Sequence, residues 1–115
     1  MKQKLLKPSL REKKRYLVYE VISEGNIEYK KLKEEVTEKF REYFGNFTLS
    51  KANLNFLEFQ KNRGVIKLNN KYLDHLRASF CFVRKINKED ILLRSLGASG
   101  MINKSRSKFL HRGAS

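Results

Sequence analysis

Acidic residues are scarce in this chain: 12 Asp and Glu stand against 26 Lys and Arg, leaving a formal net charge of +14 over 115 residues. After Asp90 there is no acid at all. The natural partner of such an excess is a polyanion. Cysteine is reduced to Cys81 alone, which excludes an intrachain disulfide, and no Cys/His grouping has the spacing of a zinc site. The chain is therefore expected to be intracellular and metal-free, with Cys81 in the core. No apolar run approaches the roughly 20 residues of a membrane span, and the N-terminus lacks the apolar stretch of a secretory signal. No membrane partner is expected, and the cytoplasm is the expected compartment.

What is present suffices for one core. Forty per cent of residues are hydrophobic, with eight Phe and five Tyr among them, so the high charge does not imply a disordered chain. The charges are segregated. Glu24, Glu28, Glu34, Glu35, Glu38 and Glu42 alternate with Lys30, Lys31, Lys33, Lys39 and Arg41, which leaves that stretch nearly neutral. The excess lies in an N-terminal arm, residues 1–14, and in a C-terminal segment, residues 100–115, on either side of a core expected over 15–99.

Hydrophobic patterning gives the order of elements. The run from Tyr16 to Ile22 is β-branched and aromatic and is apolar on both faces, interrupted only by Glu20, as in a central strand. From Asn26 to Phe44, the residues Leu32, Val36, Phe40 and Phe44 repeat every four positions. That is the stripe of an amphipathic helix, capped by Asn26 or Ser23 and stopped at Gly45. A loop with Thr48 and Ser50 follows. Leu54 to Gln60 and Gly64 to Leu68 read as a hairpin turning at residues 61–64. Asn69 or Asn70 can cap a second helix with Leu73, Leu76, Phe80 and Val83 on its buried stripe, closed by Ile86. A last strand runs from Ile91 to Leu96, and residues 97–100 read as a turn. Pro8 is expected to open a short helical turn in the arm, and Asn103 to Leu110 a terminal helix.

The sum is an α+β fold of the ferredoxin-like, RRM-like split βαβ type. It has a four-stranded antiparallel sheet with helices on one face, plus short N- and C-terminal helices. Fold alone assigns no function. RNA-recognition motifs stack bases on aromatics of the third strand. The corresponding segment, Arg63 to Leu68, has the glycine but none of the rings, which argues against reading single strands across the sheet.

Several stretches resemble a known family. These are Leu10 to Tyr16, Lys51 to Leu54, Lys71-Tyr-Leu-Asp-His-Leu-Arg-Ala-Ser-Phe80 after a Gly-Val-Ile strand, and Gly97-Ala-Ser-Gly-Met-Ile102 before a basic tail. Their order and spacing are similar to ribonuclease P protein component 2, the archaeal form of a subunit shared with eukaryotic ribonuclease P, and the likeness covers essentially the whole chain. Lys67-Leu68 and Met101 depart from the family's usual residues. The resemblance implies a protein without its own active site. Such a subunit binds the catalytic domain of ribonuclease P RNA, works with protein component 3 and the other protein subunits, can self-associate, and supports removal of the 5′ leader from precursor tRNA. It implies no cofactor on the protein; the Mg2+ that the reaction needs belongs to the RNA.

The residues expected to meet phosphate are Lys13, Lys14 and Arg15 in the arm, Lys71 and Arg77 around the second helix, and Lys104, Arg106, Lys108 and Arg112 in the tail. Lys71 stands at a helix start, where backbone amides also attract phosphate. Arg77 can equally form a surface ion pair. The tail cations could also serve only to solubilise. His75 reads as a surface residue rather than a base. Asp74 reads as a charge favouring the helix start rather than a metal ligand. Two other classes compete with the ribonuclease P reading. A free-standing RNA-binding module is disfavoured by the missing rings. An autonomous metal-dependent nuclease would have to rely on the scattered Asp74, Glu89 and Asp90.

Overall fold

The computed structural model describes residues 13–100. Its elements in chain order are β1 (Lys14–Ser23), α1 (Tyr29–Ala52), β2 (Asn55–Gln60), β3 (Arg63–Asn69), a 3-10 turn (Asn70–Tyr72), α2 (Leu73–Phe82), β4 (Lys85–Ile86) and β5 (Glu89–Ser99). All strand pairings are antiparallel, in the order β2-β3-β1-β5-β4. The expected strand, helix, strand, strand, helix, strand order is present with β5 as its last member. The sheet, however, has five strands rather than four. The addition is β4, where Asn87 and Lys88 (φ 52° and 70°) close a two-residue hairpin. Positive φ at both positions matches the natural twist of such hairpins. Ile86 was expected to close the second helix and instead belongs to this strand, because the chain turns extended already at Val83 (φ −87°, ψ 107°). The expected arm turn and terminal helix lie outside the described residues.

β1 is central, as its two apolar faces require. Leu17, Tyr19 and Val21 point into the main core, where they meet Leu32, Val36 and Phe40 of α1, Leu76 and Phe80 of α2, and Ile66 and Leu68 of β3. Both helices thus cover one face of the sheet. On the other face Val18 and Val65 are wholly buried, with Tyr16 and Leu96 packed on them. Leu96 reaches that cluster through a bulge: Val18 pairs with Gly97 and Tyr19 with Ser95, so Leu96 is an extra residue on β5. Beyond the bulge the ladder continues to Tyr16 and Ser99. Gly97 to Ser99 are consequently strand, not the turn that their glycine and serine content suggests.

α1 also outruns its expected end. Gly45 has φ 90° and ψ 161°, a kink rather than a stop, and helix resumes to Ala52. Thr48 and Ser50 are therefore helical. The second part forms because Ala52 is fully buried and Leu49 packs on the core. It ends where Asn53 turns left-handed (φ 53°) and its amide donates to the Leu49 carbonyl at 3.2 Å. The start is uncapped by side chains. Glu28 holds the cap position without a side-chain bond, while Ser23, one expected cap, spends its hydroxyl on the Gly25 turn at 2.8 and 3.0 Å. Asn69 does cap the second helical segment, its Oδ1 accepting from the Lys71 amide at 3.0 Å. Cys81, expected in the core, is exposed because α2 turns Leu76 and Phe80 inward instead.

Candidate nucleic-acid interface

Strand pairing gathers cations from separate parts of the sequence at one corner. Lys14 pairs with Asn69 in the ladder, and the Lys13 carbonyl accepts the Asn70 amide at 2.7 Å. The start of β1 is thereby fixed beside the turn that carries Lys71. Arg15 donates to the Lys14 carbonyl at 3.4 Å, and a Cβ placed on Gly100 would stand 3.0 Å from its Nη1. Its guanidinium thus lies where the chain leaves β5. Next in the ladder, Lys67 pairs with Tyr16 and holds its ammonium 5.9 Å from the centre of that ring. Four of the expected residues, Lys13, Lys14, Arg15 and Lys71, share this corner. The basic segments before Lys13 and after Gly100 both attach to it. Lys104, Arg106, Lys108 and Arg112 lie outside the described residues.

Two of the expected residues have partners of their own. The amides at the start of α2 were counted toward phosphate, but those of Asn70 and Lys71 are already taken by the Lys13 carbonyl and the Asn69 side chain. The Lys71 amide is thus not free for an anion, while its exposed side chain is. Arg77 does not join the corner: it donates to Asp74 Oδ1 and to Ser95 Oγ of β5, both at 3.4 Å. In the absence of RNA, Arg77 thus holds an ion pair at the surface. Lys67 is the residue that sequence reasoning missed. Its signal was the alternation that sets it opposite Tyr16, once the hairpin register is known.

The face of the sheet away from the helices carries a second cationic group. Glu20 pairs across β1 with Arg63 and Arg94. Its carboxylate accepts from Arg94 at 2.7 Å and from Arg63 at 3.3 Å. Burial pushes the Glu20 carboxyl up, but the bonds and charges of the two guanidiniums outweigh it and hold it below the usual carboxylate value. One carboxylate between two guanidiniums leaves this cluster with a net positive charge. Tyr16 is the one aromatic that the described strands place there, which agrees with the missing stacking rings.

Three of the other titratable candidates are occupied structurally. His75, expected at the surface, is half-buried among Phe44, Tyr72 and Phe40, with ring centres at 4.7, 5.3 and 6.3 Å. Asp74 faces Arg77, and Asp90 faces Lys85 at 3.0 Å. Among the described residues no three His, Cys, Asp or Glu side chains come together as a metal site. None of the described helices is long and apolar enough to cross a membrane.

Residues 15–110 match the Rpp14/Pop5 family. The chain belongs to that family. Its relatives named ribonuclease P protein component 2 include the protein of Methanosarcina barkeri, 35% identical over 96% of this chain and 82% of the relative. That of Methanococcus vannielii is 33% identical over 94% and 83%, and that of Pyrococcus horikoshii 31% identical over 95% and 92%. In fold, this Rpp14/Pop5 member resembles a chain in the cryo-EM structure of yeast ribonuclease MRP. The TM-score is 0.65 at 13% identity, over 94% of this chain and 92% of that one. The family match starts at Arg15 in the basic corner and runs past Gly100 into the basic segment.

Proposed function

We propose that this chain is a protein subunit of ribonuclease P. It binds the catalytic domain of the RNA subunit, together with protein component 3 and the other protein subunits, and supports removal of the 5′ leader from precursor tRNA. The observation that carries the RNA-binding part is the corner itself. Lys13, Lys14, Arg15, Lys67 and Lys71 lie together at one end of the β1–β3 ladder, where both basic segments attach, on a member of a family whose archaeal relatives are named for ribonuclease P. The hydrolysis and its Mg2+ belong to the RNA; the protein's part is to neutralise phosphates and hold the active RNA conformation. Its fold is of the ferredoxin-like split βαβ type with β4 added, and its compartment is the cytoplasm.

Each side chain that neutralises a phosphate releases condensed counterion, so affinity falls steeply as salt rises. The test is binding to ribonuclease P RNA across a salt series. Five corner cations in contact with phosphate contribute about −3.5 to −4.5 to the slope of log K against log salt, and the cations of the C-terminal segment add to it. A slope near zero overturns the assignment. The free-standing module that reads single strands on its sheet is disfavoured by the wholly buried Val18 and Val65 at the centre of that face.

A further inference from the structure

At the end of β1 remote from the basic corner, the sheet presents a surface of opposite character. Ile22 and Leu92 are direct cross-strand partners and stay 44% and 55% exposed, while Val21, Ile91 and Leu93 beside them are buried against the helices. The pair walls a groove of about 510 Å³ that is also lined by Glu24, Lys88, Glu89 and Asp90. Three carboxylates and one ammonium give this groove a net negative lining in a chain of formal charge +14. Asp90 is held by Lys85, but none of the ion pairs among the described residues engages Glu24 or Glu89. A Cβ placed on Gly25 would stand 3.1 Å from the Glu89 carboxylate, so that group is packed against the turn after β1.

The edge beside the groove is open as well. β4 covers β5 only at Glu89 and Asp90, so alongside Leu92 the outer edge of β5 has no neighbouring strand among the described residues. The Ile91 amide already points outward, donating to the Arg84 carbonyl at 2.9 Å. By the alternation of an antiparallel ladder the Leu93 backbone points the same way.

We propose that this groove seats an extended segment of another protein subunit, aliphatic at its centre and bearing Lys or Arg where it meets Glu24 and Glu89. The proposal rests on reading the chain as a subunit of a ribonucleoprotein. RNA does not fit: its phosphates are repelled by the carboxylates, and Ile22 and Leu92 offer no ring for a base. A second copy of the chain would bring its own charge of +14 against the first. An extended cationic segment satisfies the lining, and it can continue along the open edge by main-chain hydrogen bonds.

The experiment uses the full chain and three variants, Leu92→Gln, Ile22→Gln and the double change Glu24→Gln with Glu89→Gln, all at exposed or half-exposed positions. Each is titrated by calorimetry against each purified protein subunit of ribonuclease P, component 3 included, and against the RNA in parallel. One protein subunit is expected to bind the variants about tenfold more weakly than the parent, the loss typical of removing an interface anchor. RNA affinity should stay within about twofold. The proposal is overturned if no protein subunit distinguishes the variants from the parent. It is equally overturned if sedimentation shows that the variants lose a homodimer, or if RNA affinity falls instead. Weak RNA binding by the parent chain would count against the functional reading, not against the groove.

Discussion

The Tyr19 hydroxyl lies over the backbone of Gly64, its ladder partner: a Cβ on Gly64 would stand 2.5 Å from that oxygen and 2.8 Å from the Glu58 carbonyl. The glycine of β3 is thus required by packing, whatever its resemblance to an RNA-binding pattern. Tyr19 is fully buried, its hydroxyl has no hydrogen-bond partner among the described residues, and burial, with a smaller contribution from Tyr29, pushes its phenol far above the ordinary value.

Gly64→Ala should therefore destabilise the fold by about 1–3 kcal/mol, the usual range for overpacking. Tyr19→Phe, which removes an unsatisfied buried hydroxyl, should cost nothing or add up to about 1 kcal/mol. The Phe change should also restore part of the loss in the double variant, although the Glu58 carbonyl still opposes the new methyl. Urea midpoints of the four proteins check this; a Tyr19→Phe variant markedly less stable than the parent would show that the hydroxyl has a partner.

Glu20 gives the fold a dependence on pH whose sign is fixed. Its folded carboxyl is held below the usual value, so its contribution is fully present above the unfolded value of about 4.3. The contribution is lost as pH falls through the lower folded value. Glu20→Gln should flatten the acid limb of the stability profile below about pH 4.3. An identical acid limb in both proteins would mean that the Arg63 and Arg94 clamp contributes nothing.

Within the corner, the structure separates residues that composition treats alike. Changing Lys13 and Lys14 to Gln should reduce the salt slope of RNA binding by about 1 to 2, and Lys71→Gln by about 1. Arg77→Gln should have less effect, because its guanidinium is already engaged by Asp74 and Ser95. An Arg77 variant weaker than the Lys13 and Lys14 variant would move the interface toward β5.

Truncation after Ser99 removes Lys104, Arg106, Lys108 and Arg112. The shortened chain should keep the far-UV circular dichroism of the sheet and helices and lose up to about 3 from the salt slope. Unchanged affinity would remove the tail from the interface.

The periodic elements were legible because burial and sequence agree there. Leu32, Val36 and Phe40 on α1, and the two faces of β1, lie where their spacing puts them. The misreadings cluster at residues whose local preference was overridden. Gly45 favours a stop, yet burial of Ala52 and the packing of Leu49 restart the helix. Gly97 favours a turn, yet a bulge at Leu96 lets the strand pass it. Asn87 signals a hairpin, but Lys88 in place of the usual glycine hides it. For the candidate site, charge scarcity pointed to the chain's ends, and strand pairing sets Lys13, Lys14 and Arg15 beside the turn that carries Lys71. Lys67 and the Glu20 clamp depend on cross-strand register, which no single segment encodes.

The most direct measurement is cleavage of a precursor tRNA by ribonuclease P RNA and protein component 3, with and without this chain. The account predicts a clear gain in 5′-leader removal when the chain is added, none when the chain is incubated with precursor alone, and a reduced gain for the Lys13 and Lys14 variant at moderate salt. Equal cleavage with and without the chain would contradict it.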